Sequence, residues 1–523
     1  MTSEDPQAEV LAFLADPVTH GFILADEEVK RIDTHAASIF LAGNLAYKVK
    51  RRVRYPFLDF STLEKRKAAC EAELAVNRPF APAIYRRVVA ITRERDGTLA
   101  LGGKGEPVEW AVEMARFDET ATLDHAAARG ELDLRLADAL ARVVASAHAR
   151  APVADAEAWP ARLADYIAQN KSELDEHPEL FEPAAVETLT RASRAALRRI
   201  ERLLRERGEA GLVRRGHGDL HLGNIVLIDG KPVVFDAIEF DPLIATGDVL
   251  YDLAFLLMDL LERGLDAAAN VTLNRYLAET RRPEDLDGLA ALPLFFSLRA
   301  AIRAKVTAAR LDIATPDDAD AAAARDYFRL AQRLIAPPRA TLIAIGGLSG
   351  TGKSTLAAAL SPTLLPAPGA VVLRSDVERK SLFGVAETAR LPASAYTADV
   401  TRRVYAALLD KARRVTAAGH TAIVDAVFAQ PDERIKAAAA ARAGGVAFRG
   451  LFLTTRLAAR VARVEARPPD ASDADAAVAR EQESYDRGAL DWTEIDASGS
   501  LDDTLASAQA ALNSHAPRET APR

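Results

Sequence analysis

Two short stretches of this chain carry residue types that could move a phosphoryl group. In His217-Gly218-Asp219-Leu220-His221-Leu222-Gly223-Asn224 a carboxylate and a carboxamide stand five residues apart on a glycine-containing segment, and Asp236 closes the apolar run Val233-Val234-Phe235 twelve residues further on. Phosphoryl transfer uses such a set: one carboxylate orients the attacking hydroxyl and takes its proton, while an amide oxygen and a second carboxylate hold Mg²⁺ against nucleotide phosphates. His221 supports the loop or is solvated, and no metal role is assigned to it. The second stretch, Gly347-Leu348-Ser349-Gly350-Thr351-Gly352-Lys353-Ser354, fits G-x-x-x-x-G-K-[ST] and is followed by Thr355. Its glycines let backbone N–H groups turn toward phosphate oxygens, Lys353 reaches the β- and γ-phosphates, and the Ser354 hydroxyl serves Mg²⁺. Both stretches therefore imply ATP and Mg²⁺.

The second stretch has supporting carboxylates. Thr421-Ala422-Ile423-Val424-Asp425 reads as an apolar strand that delivers Asp425 to the metal. Asp376 follows the apolar run Val371–Leu373 and the pair Arg374-Ser375. It is read as the base that orients the acceptor, a helix N-cap being the plain alternative. Arg379, three residues on, is read as a substrate or phosphate contact. Arg456, Arg460, Arg463 and Arg467 recur at near-helical spacing, either as a solvated face or as a lid.

The elements that must position these groups fall into two patterns. Ile39–Leu41 and Leu45–Tyr47 flank Ala42-Gly43-Asn44 and predict a hairpin. A helix is expected from Ser61 to Asn77, with Ser61 and Glu64 at capping-box spacing. Strands are expected near Val88–Thr92 and Val108–Met114, then mostly helix from Leu132, interrupted by strands at Asn224–Ile228 and Val233–Phe235. A small β-rich part before a larger helical part predicts two lobes. Strand alternation puts Lys48 and Lys50 on one face. Glu71 and Glu73 flank the stripe of Leu63, Cys70 and Leu74 almost symmetrically, so periodicity does not choose between them. Ala336-Pro337-Pro338-Arg339 breaks the chain after a helical run, because consecutive prolines cannot continue a helix. Beyond it, strands ending near Ile345, Leu373, Val424 and Leu453, with a fifth at Trp492–Ile495, alternate with helices. That is the pattern of a doubly wound parallel sheet. The expected fold is α/β and α+β multidomain: residues 1–335, a linker at 336–339, a second domain at 340–515 and a disordered tail at 516–523.

Bulk properties narrow the class. Lys and Arg number 67 against 75 Asp and Glu, a net charge of −8, which argues against a dedicated nucleic-acid binder. Cys70 is the single cysteine, so disulfides within the chain and Cys-rich zinc sites are excluded, and a reducing compartment is expected. Glu4, Asp5 and Glu9 stand where a signal peptide wants basic residues. The most apolar stretch, Leu250–Leu261, is broken by Asp252 and Asp259 and is too short for a bilayer. A cytoplasmic location, no membrane and no nucleic-acid partner are expected; oligomeric state is left open.

His217 to Asn224, followed by Val234-Phe235-Asp236, resembles the catalytic loop and metal-binding segment of the aminoglycoside phosphotransferase and choline kinase superfamily, which shares the protein-kinase fold. The resemblance implies Asp219 as catalytic base and Asn224 and Asp236 as Mg²⁺ ligands. It also implies a lysine on the third strand paired with a helix glutamate: Lys48 by position and Glu73 by the family pattern. Glu113–Phe117 is where a hinge to adenine would lie, Asp248 in the following helix segment is structural, and Glu239 is a supporting acid or a solvated one. No G-x-G-x-x-G occurs near the amino terminus, where Thr34-His35-Ala36-Ala37-Ser38 stands instead. The second region resembles small P-loop kinases related to gluconate, adenylylsulfate and polynucleotide kinases and zeta toxins. That likeness implies Arg463 and Arg467 as lid arginines acting on the transferring phosphoryl group. No [NT]-K-x-D accompanies the loop, unlike Ras-type GTPases.

The order of the two regions resembles bacterial fusions of an aminoglycoside-phosphotransferase-like enzyme with a P-loop kinase. The expected function is tandem ATP-dependent transfer of phosphoryl groups to hydroxyls of small molecules, sugar- or aminoglycoside-like among them. The alternatives are one active kinase regulated by a P-loop ATP switch, and a protein kinase or toxin-like stress enzyme.

Overall fold

The computed structural model describes residues 7–21, 28–55, 58–311, 318–467 and 470–514; the expected tail at 516–523 lies outside them. Six strands form an antiparallel sheet in the order Lys30–Asp33, Ala37–Ala42, Leu45–Lys50, Glu106–Ala115, Tyr85–Arg93 and Leu99–Leu101. The expected hairpin lies within it. Ala42 faces Leu45 across a two-residue turn whose Gly43 has a φ of 58°, the sign a tight hairpin of this twist requires. Alternation gives the sheet two buried faces. Phe40, Tyr47, Val49 and Ile91 pack on one, and Leu41, Ala46, Cys70 and Val112 on the other. Lys48 and Lys50 share the parity of Ala46 and so emerge on the side that carries helix Leu63–Asn77.

That helix begins later than the capping-box spacing predicted. Thr62 is the cap, its hydroxyl accepting the Lys65 N–H at 3.3 Å. The Ser61 hydroxyl is drawn instead to the Asp59 carboxylate at 2.5 Å, which also takes the Ser61 N–H and the Lys65 ammonium. A hydroxyl donates more strongly to a charged acceptor than to a neutral one, and this bond ties Ser61 to the turn before the helix. Further along, Ile225–Ile228 and Lys231–Val234 pair antiparallel around Asp229-Gly230, both at positive φ, as the Asp-Gly dipeptide favours. Asn224, expected to begin the strand, ends the short turn Leu222–Asn224 instead, because its side chain folds back on Asp219.

The second sheet is parallel throughout, in the order Val371–Arg374, Ala422–Asp425, Thr341–Gly347, Ala447–Thr454 and Thr493–Asp496. Ile343, Ile345, Ile423, Leu451 and Leu453 fill its core with helices Lys353–Leu360 and Leu501–Ser514. Continuous apolar runs, buried on both faces, are what such a sheet needs.

By packing, the chain forms two compact units, Met1–Ala161 with Leu204–Asp259 and Arg162–Leu203 with Leu260–Arg523. This division differs from the one expected at Pro337-Pro338. Helices Asp266–Thr280 and Pro283–Gly288 pack against strand Val371–Arg374 and helix Ala398–Ala417, so the residues before the prolines share a unit with the parallel sheet. Proline stops a helix, but it does not decide which surfaces bury each other. No helix among the described residues is long and apolar enough to cross a membrane.

Candidate active sites

In the first unit three elements converge. Strand Leu45–Lys50 brings Lys48 and Lys50, helix Leu63–Asn77 brings Glu73, and the turn after strand Lys231–Val234 brings Asp236. The Lys48 ammonium lies 2.8 Å from Glu73 Oε1 and 2.7 Å from Asp236 Oδ1. Glu73 also meets Lys50 at 2.6 Å, and Lys50 in turn pairs with Glu239. Glu73 has no exposed surface, whereas the Glu71 side chain is 57% exposed beside Lys67. Burial alone would discharge these groups. It pulls Lys48 down and Glu73 up, yet the mutual charges outweigh it, holding the Lys48 ammonium well above its ordinary value and the Glu73 carboxyl below its own.

The Asp219 loop hangs on buried carboxylates. Asp252 accepts the His217 and Gly218 N–H groups at 2.8 and 3.0 Å, and Asp259 accepts that of Leu222 at 2.9 Å. The Asn224 carboxamide donates to the Asp219 backbone carbonyl and carboxylate at 3.0 and 3.1 Å; His221 lies 3.3 Å from the same carboxylate. His217 bonds the Phe235 carbonyl, and its enclosure lowers its pKa. Asp248 forms a buried, two-pronged pair with Arg207 at 2.6 and 2.7 Å. At the expected hinge, Glu113 is paired with Arg87 and the Arg116 N–H donates to the Asn44 carbonyl at 2.9 Å.

Sequence reasoning missed Asn77 altogether. Fully buried on the last turn of the helix that carries Glu73, it accepts the Ala237 N–H at 2.6 Å and donates to the Ala237 carbonyl at 3.1 Å. It thereby clamps the residue after Asp236. Asp252 and Asp259 were legible only as polar breaks in an apolar helix; two buried acids there had to meet donors.

In the second unit the glycine-rich loop joins strand Thr341–Gly347 to helix Lys353–Leu360, with Gly347, Gly350 and Gly352 all at positive φ. A side chain at Gly350 would meet the Arg460 backbone carbonyl at 2.5 Å. The Ser354 hydroxyl donates to Asp425 at 2.6 Å, and Arg374 stands 3.5 Å from the same carboxylate. Lys353 bonds the Leu348 carbonyl at 3.2 Å, and the Thr351 hydroxyl donates to that carbonyl at 2.8 Å. The Ser349 N–H is held by Gln482 at 2.7 Å, and Thr355 is exposed. Enclosure lowers Lys353 despite Asp425 and Asp376, and it raises Asp376, aided by Asp425.

The four arginines part company. Arg456 is exposed. Arg460 is 1% exposed and spans the Ser349 and Ala479 carbonyls at 2.9 and 2.7 Å, with Glu483 at 3.2 Å. Arg463 reaches the Ala497 carbonyl at 2.8 Å and the Thr351 carbonyl at 3.5 Å, and Arg467 bonds the Ser472 and Ala474 carbonyls, both at 3.1 Å. Arg379 donates to the Ala395 carbonyl at 2.7 Å and lies over the Tyr396 ring.

Comparison with known proteins separates two stretches of the chain. The profile of the Phosphotransferase enzyme family matches residues 44–292, and that of an AAA domain matches residues 342–487. The chain is 30% identical over 478 residues to the uncharacterized protein Rv2004c of Mycobacterium tuberculosis (strain ATCC 25618 / H37Rv), covering 87% of this chain and 90% of that one; Mb2027c of Mycobacterium bovis matches equally. Among solved structures, a choline/ethanolamine kinase family protein from Mesorhizobium loti aligns over 63% of this chain and 95% of its own at 15% identity and TM-score 0.40. A gluconokinase from Sinorhizobium meliloti 1021 aligns over 33% and 92% at 19% identity and TM-score 0.25. The chain belongs to the bacterial family that fuses a phosphotransferase-family region to a P-loop kinase region, and it is an ATP-dependent phosphotransferase.

Proposed function

We propose that the protein is a tandem kinase with two catalytic halves, residues 1–335 and 340–515, joined at 336–339, each with its own Mg·ATP site. The observation that supports this most is that each half gathers a full set of groups without borrowing from the other. One has Lys48, Glu73, Asp219, Asn224 and Asp236; the other has Lys353, Ser354, Asp425 and Asp376. In the second set the Ser354 hydroxyl and the Asp425 carboxylate stand side by side, as a hard cation sharing its shell with phosphates needs. Asn224 and Asp236 would hold the ion in the first site, and Ser354 and Asp425 in the second. Mg²⁺, when bound, neutralises charge on the β- and γ-phosphates.

In the first site Lys48, kept charged by Asp236 and Glu73, takes the phosphates. Asp219, steadied by Asn224, orients an acceptor hydroxyl and receives its proton as the acceptor oxygen bonds to the γ-phosphorus and the bond to ADP breaks. Asp376 plays the corresponding part in the second site, where Arg463 and Arg467 meet the phosphoryl group. Those two arginines must then exchange their carbonyl partners for phosphate oxygens during turnover. The acceptors are small hydroxyl-bearing molecules.

Calorimetric titration of the whole chain with a non-hydrolysable ATP analogue and Mg²⁺ tests the reading. Two sites are expected, and one in Lys353→Ala. One site that disappears in Lys353→Ala would sink the tandem assignment.

A further inference from the structure

Helix Asp266–Thr280 lies within the stretch that matches the phosphotransferase family, yet its amides serve the other sheet. Strand Val371–Arg374 is the outermost strand there, paired with Ala422–Asp425 on one side only. An edge strand presents unpaired backbone groups on its free side. Asn274 supplies both partners: its Nδ2 donates to the Ala370 carbonyl at 3.0 Å, and its Oδ1 accepts the Val372 N–H at 2.7 Å. A carbonyl and the N–H two residues later are the pair that one residue of a parallel neighbour engages. A single carboxamide thus takes the place of a sixth strand. Asn270, one turn earlier and 2% exposed, donates to the same Ala370 carbonyl at 3.1 Å and accepts the Ser361 hydroxyl at 2.8 Å. Gly369 admits this approach, since a Cβ there would come within 2.6 Å of the Asn270 amide nitrogen. Ion pairs from Arg275 to Glu387 at 3.1 Å and from Asp287 to Arg414 at 2.8 Å flank the contact.

The strand held in this way ends at Arg374, which faces Asp425 and Asp470, and the chain passes directly into Asp376. An extended backbone cannot stretch, so a slip at Val372 carries through to both residues. We propose that Asn274 is a positioning residue for the P-loop phosphotransfer site. Its carboxamide completes the sheet edge and sets the register of Arg374 and Asp376, which makes helix Asp266–Thr280 a working part of the second kinase. The inference rests on the roles given above to Lys353 and Asp376.

The test compares the full-length chain with Asn274→Leu, with Asn274→Asp and, as a control in the same helix, with Arg275→Ala. Amide hydrogen exchange reads residues 370–376, ATP hydrolysis with water as acceptor reads turnover, and a fluorescent ADP analogue reads nucleotide affinity. Lys353→Ala marks the hydrolysis that belongs to the second site. Asn274→Leu is expected to speed exchange at Val372 by about tenfold, the equivalent of one lost hydrogen bond. Misplacement of reacting groups should lower Lys353-dependent turnover by about fivefold or more while nucleotide affinity holds. Arg275→Ala should change none of the three. Asn274→Asp keeps an acceptor for Val372 but sets a carboxylate against the Ala370 carbonyl; a loss of about threefold in turnover is expected, which covers failure of the leucine variant to fold. Unchanged exchange across Val372–Asp376, or raised exchange with full turnover, overturns the proposal. Hydrolysis that ignores Lys353→Ala refutes the second-site reading instead, and exchange alone then decides whether Asn274 fixes the strand.

Discussion

At the scale of single residues, Asp236 is held under backbone constraint in the proposed first site. Its φ is 61°, a left-handed conformation that costs an L-residue about 1–2 kcal/mol. The surroundings impose it: its N–H donates to the Tyr85 hydroxyl at 3.2 Å, Asn77 clamps Ala237, and Lys48 holds the carboxylate. Asn77→Leu should free this turn and leave the fold standing. In the Lys353→Ala background, which isolates the first site, Mg²⁺-dependent nucleotide affinity is expected to fall about tenfold, equivalent to 1.4 kcal/mol, with metal-free affinity unchanged. A Mg²⁺-dependent affinity equal to that of the chain with Asn77 intact would remove Asn77 from this role. Asp219→Asn should leave nucleotide binding intact and reduce phosphotransfer by about 10²–10⁴-fold, the range of a general base. ADP release in the same background measures it, and unchanged release would assign the proton elsewhere.

At the scale of elements, the helix Leu457–Ala466 is fastened to the glycine-rich loop by Arg460. Removing a buried guanidinium that satisfies two carbonyls leaves those acceptors bare. Arg460→Ala should therefore destabilise the second unit by about 3 kcal/mol, read in urea unfolding and accompanied by weaker nucleotide binding at the Lys353 site. A stability equal to the unsubstituted chain would mean that water replaces those bonds. Strand Ala422–Asp425 is anchored similarly at its start. His420, 3% exposed, bonds the Gly369 carbonyl at 2.7 Å, and burial brings its pKa down to about 4. The unfolded ring binds a proton near pH 6.5, but the folded ring refuses it until about pH 4. The stability from the neutral ring is thus complete above the unfolded value and is lost as pH falls through that window, by up to about 3 kcal/mol. Melting temperatures between pH 7.5 and 4.5 should drop less steeply in His420→Gln; parallel curves would show that His420 does not set the acid limit.

At the scale of the whole molecule, the double proline is a boundary in the sequence but not in the packing. Asn270, Asn274, Arg275 and Asp287 all precede it, and all bind residues that follow it. A chain cut by an engineered protease site between Pro337 and Pro338 should therefore elute as one species in gel filtration and separate only in denaturant. Two peaks under native conditions would show that these contacts are too weak to hold the pieces. The same seam predicts that residues 340–523 expressed alone expose the edge of the parallel sheet and aggregate.

The amino-acid sequence by itself determined the candidate groups for the chemistry and where the strands of the parallel sheet lie along the chain. Phosphate cradles and phosphoryl-transfer loops are built from consecutive residues, so the candidates Gly347–Ser354 and His217–Asn224 are legible without any fold. Apolar runs of strand length between helical stretches likewise announced the parallel sheet. What packing alone decided is which distant side chains meet. Helical periodicity left Glu71 and Glu73 level, and only the rotation of their helix against the sheet turned Glu73 inward. Asn77 clamps a residue 160 positions away, Asp252 a loop 35 away, and Asn274 a strand 98 away. A carboxamide or carboxylate has no pattern of its own along a chain. Its role is set by the backbone groups it must satisfy once burial takes water from them, and those groups are known only when the elements have packed.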